Sequence, residues 1–423
     1  MPFAYSSSCA VMGATGRCCN TSGPTGKEAV ATAHPEDKTI SRLDCDILCE
    51  AGPDGSAIAF SDADQRIIAW SADDVAGALA EIDDAHRRGS WVAGYFSYEL
   101  GYVLEPKLCS RLPPDRHAPL IAVGVYASGS QDHAEALLAD ERSTQCNLTN
   151  PVPVWNDTAY AQVFDKVARY IEAGDIYQAN LTFPLVANWS GDPFALYRTL
   201  RARQPVGYGA YVRLNEGPII LSRSPELFFS IDLQGVIETR PMKGTLPRGA
   251  NDVEDRLFRD GLSKDEKNRA ENLMIVDLLR NDISRVAEVG TVRVPKLFHV
   301  DTYKTVHQMV SHVQATLRKG VQPGDILRAL FPCGSITGAP KIRAMEIIRE
   351  LEPEARDAYC GAVGWMAPDG RMVLNVAIRT ISLFEDGSAR LNVGGGVVYD
   401  STAAAEYEEA LWKARFADLS SLI

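Results

Sequence analysis

The sequence predicts an α+β protein built from large antiparallel sheets. Strand-like runs rich in β-branched and aromatic residues come in consecutive blocks, and amphipathic helical runs form separate blocks between them. The regular alternation of strand and helix that would indicate a parallel sheet is absent from the sequence. With 423 residues, 46% of them hydrophobic and 23% charged, the chain is long enough for two ordinary domains, or for one large domain with an appendage.

Three regions follow one another along the chain. Residues 1–39 are rich in Ser, Gly, Thr and Ala and predict a disordered extension, since they lack the basic and apolar parts of a signal peptide. Residues 40–150 form an N-terminal region and residues 151–423 a larger second region, with a proline-containing boundary over 147–157. In the N-terminal region we predict strands over 57–60, 91–98 and 120–126, and helices over 71–87 and 132–141.

A helix capped by Asp157 or Thr158 opens the second region and extends to about residue 172, because Tyr160, Phe164 and Val167 recur at helical spacing. Strands are then predicted over 177–189, 209–213, 218–222, 227–232, 235–239, 360–367, 372–383 and 389–398. Further helices are predicted over 264–289, 300–317, 325–330, 339–351 and 403–416.

The bulk composition argues against several functional classes. A formal net charge of −12 disfavours general binding to nucleic acid or to an anionic membrane. No apolar run reaches the about 20 residues needed to cross a bilayer. The nine cysteines include no C-x-x-C spacing, so neither a disulfide framework nor a zinc site is indicated, and a cytoplasmic location is expected.

Lys243 lies between Pro241 and Gly244, just after a predicted strand. Proline stiffens the backbone there, and glycine lets it approach a ligand closely. These neighbours fit two interpretations, a surface lysine in a turn or a nucleophile held on a rigid platform. Taken alone, the segment over 239–245 favours the turn lysine.

Three glutamates are candidate metal ligands. Glu271 lies on the apolar stripe of its predicted helix, where a carboxylate needs a partner, either Lys267 one turn earlier or a metal ion. Glu406 and Glu409 are one turn apart on the last helix, which by itself is typical of a solvated face. Carboxylates that converge from the two helices would form a hard-oxygen site suited to Mg²⁺.

Three other segments could bind an anion. Residues 331–341 form a Gly/Ser/Thr-rich loop that opens a helix, where free N–H groups favour a carboxylate. Glycines at 394–396 end a strand, and backbone without side chains can surround an anion. Arg379, placed in the middle of a predicted strand, is either a salt-bridge partner or a bidentate carboxylate clamp.

From about residue 158 to the C-terminus, these segments in this order resemble the chorismate-utilising enzymes, which include anthranilate synthase component I, isochorismate synthase and salicylate synthase. The matching stretches are residues 174–178, 222–227, 241–245, 270–282, 331–341, 359–361 and 394–396, followed by Ser401, Glu406 and Glu409. The resemblance implies a two-layered α/β sandwich of large antiparallel sheets with outer helices, anthranilate synthase component I-like, with its active site between the sheets. Residues 40–150 look like the N-terminal half of this family.

Three positions discriminate between branches of the family. Members that add water to chorismate carry a basic lysine where this chain has Gln178, and a carboxamide cannot deprotonate water. Anthranilate synthases usually carry alanine in place of Lys243, and a histidine linked to pyruvate elimination in place of Gln308. The resemblance therefore implies the aminodeoxychorismate branch, and the neighbouring His307 is expected to be structural.

The resemblance also implies roles for the site residues. Glu226 would be the general acid for the departing C4 hydroxyl, and neutral Lys243 would attack C2 as the nucleophile. Ammonia would then enter at C4, giving 4-amino-4-deoxychorismate, a para-aminobenzoate and folate precursor. Mg²⁺ bound by Glu271, Glu406 and Glu409 would hold the ring carboxylate. The implied substrate-binding residues are Gln178, Thr245, Ser335, Thr337, Gly338, Lys341, Tyr359, Arg379, Gly394, Gly395 and Gly396.

No Gly-x-Cys-x-Gly nucleophile turn of a glutamine amidotransferase occurs in the sequence. The expected ammonia source is therefore a separate glutaminase subunit or free ammonium. Two alternatives remain open, an anthranilate synthase component I and a non-catalytic chorismate-binding paralogue. The second would have no need of both an acid and a nucleophile.

Overall fold

The computed structural model describes residues 45–140, 145–303 and 306–419. The extension predicted over residues 1–39 lies outside these ranges. No helix within them is both long and apolar enough to cross a membrane.

Two large sheets form the centre of the molecule, and every strand pairing among the described residues is antiparallel. The strands are β1 Ile47–Cys49, β2 Ile58–Phe60, β3 Gln65–Ala69, β4 Trp91–Phe96, β5 Ile121–Tyr126, β6 Cys146–Leu148, β7 Val152–Pro153, β8 Gln178–Gly191, β9 Tyr208–Val212, β10 Ile219–Ser224, β11 Leu227–Ile231, β12 Val236–Thr239, β13 Met242–Pro247, β14 Arg293–Thr302, β15 Val306–Thr316, β16 Gly338–Ala339, β17 Ala362–Met366, β18 Met372–Val376, β19 Thr380–Leu383 and β20 Ser388–Val397.

The first sheet has the order β16-β8-β20-β19-β10-β9-β1-β2, with β6 and β7 beside β8. The second has the order β13-β15-β12-β11-β18-β17-β4-β5-β3, with β14 beside β15. Strands from both sides of the predicted boundary near residue 150 therefore contribute to each sheet.

Helices cover the outer faces of the sheets. They are α1 Ala72–Arg87, α2 Leu100–Leu104, α3 Gln131–Ala139, α4 Asp157–Glu172, α5 Pro193–Arg203, α6 Asp252–Lys264, α7 Glu266–Ser284, α8 Pro323–Leu330, α9 Lys341–Leu351 and α10 Ala403–Ala414. Apolar residues of α1, α7 and α8 pack with those of the second sheet, and apolar residues of α4, α5, α9 and α10 pack with those of the first. A third apolar cluster, which includes Ile47, Val212 and Trp365, combines residues of both sheets. The predicted α+β sandwich with outer helices is confirmed.

The chain crosses between the sheets at two neighbouring places. Pro225 and Glu226 connect β10 of the first sheet to β11 of the second, and residues 377–379 connect β18 of the second sheet to β19 of the first. Hydrogen bonds join the crossings, since the Val376 N–H donates to the Glu226 carbonyl at 3.0 Å and the Arg223 N–H donates to the Arg379 carbonyl at 2.9 Å. Arg379, expected in the middle of a strand, instead lies in the second crossing with a φ of +52°.

The helix predicted over 300–317 is wrong, since residues 300–302 belong to β14 and residues 306–316 to β15. This segment is rich in valine, whose β-branched side chain packs well on a pleated sheet. That preference outweighs the partly helical spacing of Val300, Val306, Val310 and Val313.

Three smaller differences concern helices. The helix predicted over 264–289 is shorter, since α7 spans Glu266–Ser284 and begins after Asp265, whose side chain accepts a hydrogen bond from the Asn268 N–H and caps it; α6, which ends at Lys264, was not predicted. Asn156 caps α4, in place of the predicted Asp157 or Thr158, by accepting from the Ala159 N–H at 2.8 Å. Helix α5, which begins with Pro193, was not predicted.

Candidate active site

Glu226 lies at the first sheet crossing, where Pro225 redirects the chain. The residue is 7% exposed, and Oε1 accepts a 2.8 Å hydrogen bond from the Ser335 hydroxyl. Burial raises the pKa of the Glu226 carboxyl, while the Ser335 hydrogen bond and the charges of Lys243 and Arg379 oppose that rise. Glu226 therefore combines burial with a raised pKa, as a general acid requires.

Lys243 lies in a β-bulge and not in a turn. Met242 of β13 is opposite Val310 of β15, whereas Thr245 is opposite Gln308, so β13 contains one extra residue between these pairs. Gly244 accommodates the bulge with a φ of +77°. The Lys243 side chain, 16% exposed, is therefore held by a strand whose path departs from the regular ladder.

The Lys243 amine has two polar neighbours. Nζ is 3.4 Å from Oε1 of Gln178 and 3.7 Å from Oε2 of Glu271. Gln178 is fully buried at the start of β8, and its Nε2 has no hydrogen-bond partner. The structure thus brings the predicted nucleophile together with two other predicted site residues, and Glu271 pairs with Lys243 and not with Lys267.

The three consecutive glycines lie inside β20, beside the same groups. A Cβ on Gly396 would lie 2.9 Å from Gln178 Nε2 and 3.1 Å from Lys243 Nζ, and one on Gly395 would lie 2.7 Å from Glu406 Oε2. A Cβ on Gly394 would lie 2.1 Å from the Leu181 carbonyl of the neighbouring strand. A side chain at Gly394 would clash with backbone, whereas one at Gly395 or Gly396 would displace the ends of Glu406, Gln178 or Lys243, so the backbone of β20 lies close to these groups.

Helix α10 carries the other two predicted metal ligands. Glu406 Oε1 accepts a 2.7 Å hydrogen bond from the Ser401 hydroxyl. Burial raises the pKa of Glu406, Ser401 opposes the rise, and the Glu409 charge adds to it. Glu409 is exposed and forms a 2.8 Å ion pair with Lys413, whose Nζ also donates to the Gly394 carbonyl at 2.9 Å.

The predicted metal ligands do not surround one point in this structure. Within residues 45–140, 145–303 and 306–419, no group of three or more His, Cys, Asp or Glu side chains is arranged to hold a metal ion. Each of the three glutamates has a different partner, which is Lys243 for Glu271, Ser401 for Glu406 and Lys413 for Glu409.

The loop over 331–341 reaches the site through Ser335. The Thr337 hydroxyl donates within the loop, to the Cys333 and Gly334 carbonyls, and the Lys341 ammonium donates to Asp282 and to the Leu330 carbonyl. Gly338 pairs with Ala179 of β8, where a Cβ would lie 2.2 Å from the Gln178 carbonyl. The polar groups of Thr337 and Lys341 therefore bond within the loop and to α7 and α8, whereas backbone pairing with β8 joins the loop to the first sheet.

The three other predicted substrate-binding residues, Arg379, Tyr359 and Thr245, differ from one another in burial. Burial lowers the pKa of Arg379, and the Glu226 charge opposes that fall. Tyr359 is 7% exposed, and burial is the main cause that raises the pKa of its phenol. Thr245 is exposed and donates a 2.7 Å hydrogen bond to Gln308 Oε1.

His307 is structural in its contacts, as expected. Its fully buried ring lies 2.9 Å from Asp255 Oδ1 through Nε2 and 3.0 Å from the Thr302 hydroxyl through Nδ1.

Several contacts could not be predicted from the sequence. These include the hydrogen bond of Ser335 to Glu226 and that of Ser401 to Glu406, and the contacts of Gln308 with the Lys243 segment. The only sequence signal for the first two was their occurrence in segments that match the family.

Comparison with known proteins identifies the family. The model of a family described as chorismate binding enzyme matches residues 36–418. Aminodeoxychorismate synthase component 1 of Klebsiella aerogenes is 42% identical over 340 residues, 76% of this chain and 74% of that protein. Anthranilate synthase component 1 of Thermus thermophilus is 44% identical over 257 residues, 61% of this chain and 55% of that protein.

A similarity of structure supports the same family. The crystal structure of anthranilate synthase component I from Streptococcus pneumoniae superposes with a TM-score of 0.71 at 26% identity, covering 85% of this chain and 91% of that chain. The sequence matches and the shared fold agree, and the chain belongs to the family of chorismate-binding enzymes.

Proposed function

We propose that the chain is an aminodeoxychorismate synthase component 1, which aminates chorismate at C4 to 4-amino-4-deoxychorismate. The observation that carries the proposal is the position of Lys243, with its amine within 4 Å of both Gln178 and Glu271. A relative that carries this name matches over three quarters of the chain. A turn lysine in solvent would have neither these neighbours nor a glycine strand beside its amine.

In the proposed reaction, buried Glu226 donates a proton to the C4 hydroxyl, which leaves as water. The Lys243 amine in its neutral form attacks C2, and both double bonds of the ring diene shift as the C4–O bond breaks. Ammonia then attacks C4, both double bonds shift back, and the C2–N bond to Lys243 breaks, which restores the free amine. Gln178 is suited to orient the Lys243 amine, and its carboxamide cannot activate water for attack.

We also propose that Mg²⁺ is bound by Glu271, Glu406 and Glu409. The donor set fits this ion, since all three are hard oxygen ligands, and Glu406 is a carboxylate in a half-buried position beside side-chain-free backbone. Glu271 and Glu409 would leave their ion pairs with Lys243 and Lys413 to bind it. The ion would supply positive charge for the substrate ring carboxylate.

The remaining site residues would bind the substrate. Arg379, Tyr359 and the glycines at 394–396 would hold the enolpyruvyl carboxylate, and Thr245, Thr337, Gly338 and Lys341 would complete the pocket. Gly338 and Lys341 contribute through the position of their loop, given the contacts of Lys341 with Asp282 and the Leu330 carbonyl.

Ammonia would come from a separate glutamine amidotransferase subunit, as the words "component 1" in the name of the relative suggest for that protein. We place the protein in the cytoplasm, since none of the cysteines in the described part of the chain forms a disulfide, as is usual in a reducing compartment.

Anthranilate synthase component 1 is the second candidate, because a relative with that name is 44% identical over 257 residues. Overall identity does not separate the two, so the distinction depends on Lys243 and Gln308.

One experiment tests the proposal. The purified chain is incubated with chorismate, Mg²⁺ and ammonium, and the product is identified by mass spectrometry. The same assay is run on Lys243→Ala and on Lys267→Ala, a matched exposed lysine of α7. We expect 4-amino-4-deoxychorismate from the unaltered chain and from Lys267→Ala, and a loss of about 100-fold or more in kcat for Lys243→Ala. Anthranilate as the main product would contradict C4 amination, and full activity of Lys243→Ala would contradict the covalent step.

A further inference from the structure

The β-bulge that carries Lys243 interrupts the regular pairing of β13 with β15. Between the Met242–Val310 and Thr245–Gln308 pairs, the extra residue of β13 has no counterpart on β15, so the ladder is locally interrupted. A bulge with a positive-φ glycine and an interrupted ladder has more conformational freedom than a regular strand. The direction of the Lys243 side chain depends on how this backbone is held.

The Gln308 side chain bridges the interruption. Its Nε2 donates a 2.9 Å hydrogen bond to the Gly244 carbonyl, and its Oε1 accepts a 2.7 Å hydrogen bond from the Thr245 hydroxyl. One carboxamide thus contacts both residues that follow Lys243, and it supplies a donor to a carbonyl within the irregular part of the strand. A planar group with a donor and an acceptor can make both contacts only if Gly244 and Thr245 keep their present orientation.

Helices α6 and α7 also contact the bulge. A Cβ on Gly244 would lie 2.6 Å from Asn268 Oδ1 of α7 and 3.0 Å from Leu262 Cδ1 of α6, so the glycine has little room to move in that direction. The bulge is therefore held by these two helices and by the Gln308 carboxamide.

We propose that Gln308 is a positioning residue for Lys243, which acts by fixing the Lys243–Gly244 bulge through its hydrogen bond to the Gly244 carbonyl. The catalytic part of this inference rests on the proposed function of Lys243. The positioning part concerns only the conformation of the bulge and can be measured without turnover.

The test compares three variants. Gln308→Met keeps the side-chain length and removes both hydrogen bonds. Gln308→Glu keeps an acceptor for Thr245 but places a carboxylate oxygen against the Gly244 carbonyl. Gln314→Met is the matched control, since Gln314 lies further along β15, opposite Glu238 and away from the bulge.

The first measurement is the rate at which an amine-directed reagent, trinitrobenzenesulfonate, modifies Lys243, followed by peptide mass spectrometry with Lys267 as the internal reference. We expect the rate at Lys243 to change by about threefold or more in Gln308→Met and Gln308→Glu, since a released side chain samples other environments. Gln314→Met should leave it unchanged. An unchanged rate in both Gln308 variants, with circular dichroism showing a folded chain, would overturn the inference.

The second measurement separates kcat from KM in ammonium-dependent turnover of chorismate. Misplacing a reacting group costs about 10- to 100-fold in rate, so both Gln308 variants should lose kcat by such a factor while KM for chorismate stays within about threefold. A rise in KM with unchanged kcat would contradict a positioning role. Failure of the proposed function would give a different result, because Lys243→Ala would then be fully active. The modification rate at Lys243 would still show whether Gln308 fixes the bulge.

Discussion

The hydroxyl of Ser335 donates a 2.8 Å hydrogen bond to Oε1 of Glu226, and so links the loop over 331–341 to the crossing between the sheets. Burial favours the neutral acid at Glu226, whereas this hydrogen bond favours the carboxylate. The balance between these two effects sets the pH range in which Glu226 can donate a proton.

Ser335→Ala should move the pH profile of the enzyme. Loss of the hydrogen bond destabilises the carboxylate, so the pKa of Glu226 rises further. A general acid is active while protonated, and its contribution is lost as the pH rises through its pKa. The alkaline fall in kcat/KM should therefore occur at a higher pH in Ser335→Ala, as measured by initial rates across the pH range. Ser263→Ala is the control, since this half-buried serine of α6 donates only to the Asp260 carbonyl of its own helix. Equal profiles for Ser335→Ala and the unaltered chain would argue against Glu226 as the acid.

Glu406→Gln should weaken binding of the divalent ion. Titration with Mn²⁺, followed by electron paramagnetic resonance, should show an affinity lower by about tenfold or more, since even outer partners of a metal site contribute that much. Affinity in the unaltered chain should fall as the pH drops through the pKa of Glu406, because a protonated carboxyl is a poor ligand. Since burial and Glu409 raise that pKa, the fall should begin at a higher pH than for an ordinary carboxylate. Glu408→Gln, at an exposed position of the same helix, should bind normally, and equal affinities for the two variants would exclude Glu406 as a ligand.

Gly396→Ala should reduce turnover without unfolding the protein. The new methyl would lie 2.9 Å from Gln178 Nε2 and 3.1 Å from Lys243 Nζ, closer than carbon normally approaches either atom. Displacement of these side chains should lower kcat by about tenfold or more. The control is Gly77→Ala in α1, where the methyl would meet no atom within 4 Å and alanine favours the helix. Turnover of Gly396→Ala equal to that of the control would show that the space beside Lys243 is not needed.

Arg356→Met should strongly destabilise the fold. The buried guanidinium bonds both carboxylate oxygens of Glu352 at 2.7 and 2.8 Å, and also the Asn180 and Ile336 carbonyls. Loss of one member of a buried ion pair costs about 3–5 kcal/mol of the free energy of unfolding, to be measured by urea denaturation. Arg343→Met removes the more exposed pairs with Asp175 and Glu346 and should cost about 1 kcal/mol or less. Similar costs for the two variants would contradict this assignment.

The sequence predicts the fold class well, because blocks of strands and helices depend on local hydrophobic patterns. The helix predicted over 71–87, for example, is observed as α1 Ala72–Arg87, with Ser71 as its cap. The pattern fails over 300–317, where β-branched residues at mixed spacing fit both periods. Residues 306–316 form a strand because they pair with β12, β13 and β14. The pairings with β12 and β13 involve residues distant in sequence, so a local pattern cannot reveal them.

That one error also hides part of the site. On a helix, Gln308 would have no defined relation to Thr245, whereas on β15 it is directly opposite. The bulge at Lys243 is likewise invisible without the register of the two strands. The resemblance to a family brings the individual residues together, but their hydrogen bonds depend on pairings that no single segment specifies.

The passage of the chain between the sheets has a consequence for biosynthesis. Glu226 and Lys243 are made before β20 and α10, which lie about 150 residues further along the chain. Strand β20 pairs along its whole length with β8, about 200 residues earlier in the chain, and such distant pairings form slowly. A nascent chain therefore carries Glu226 and Lys243 well before it has the glycine strand and the carboxylates of α10, so the proposed site is complete only after this distant pairing has formed.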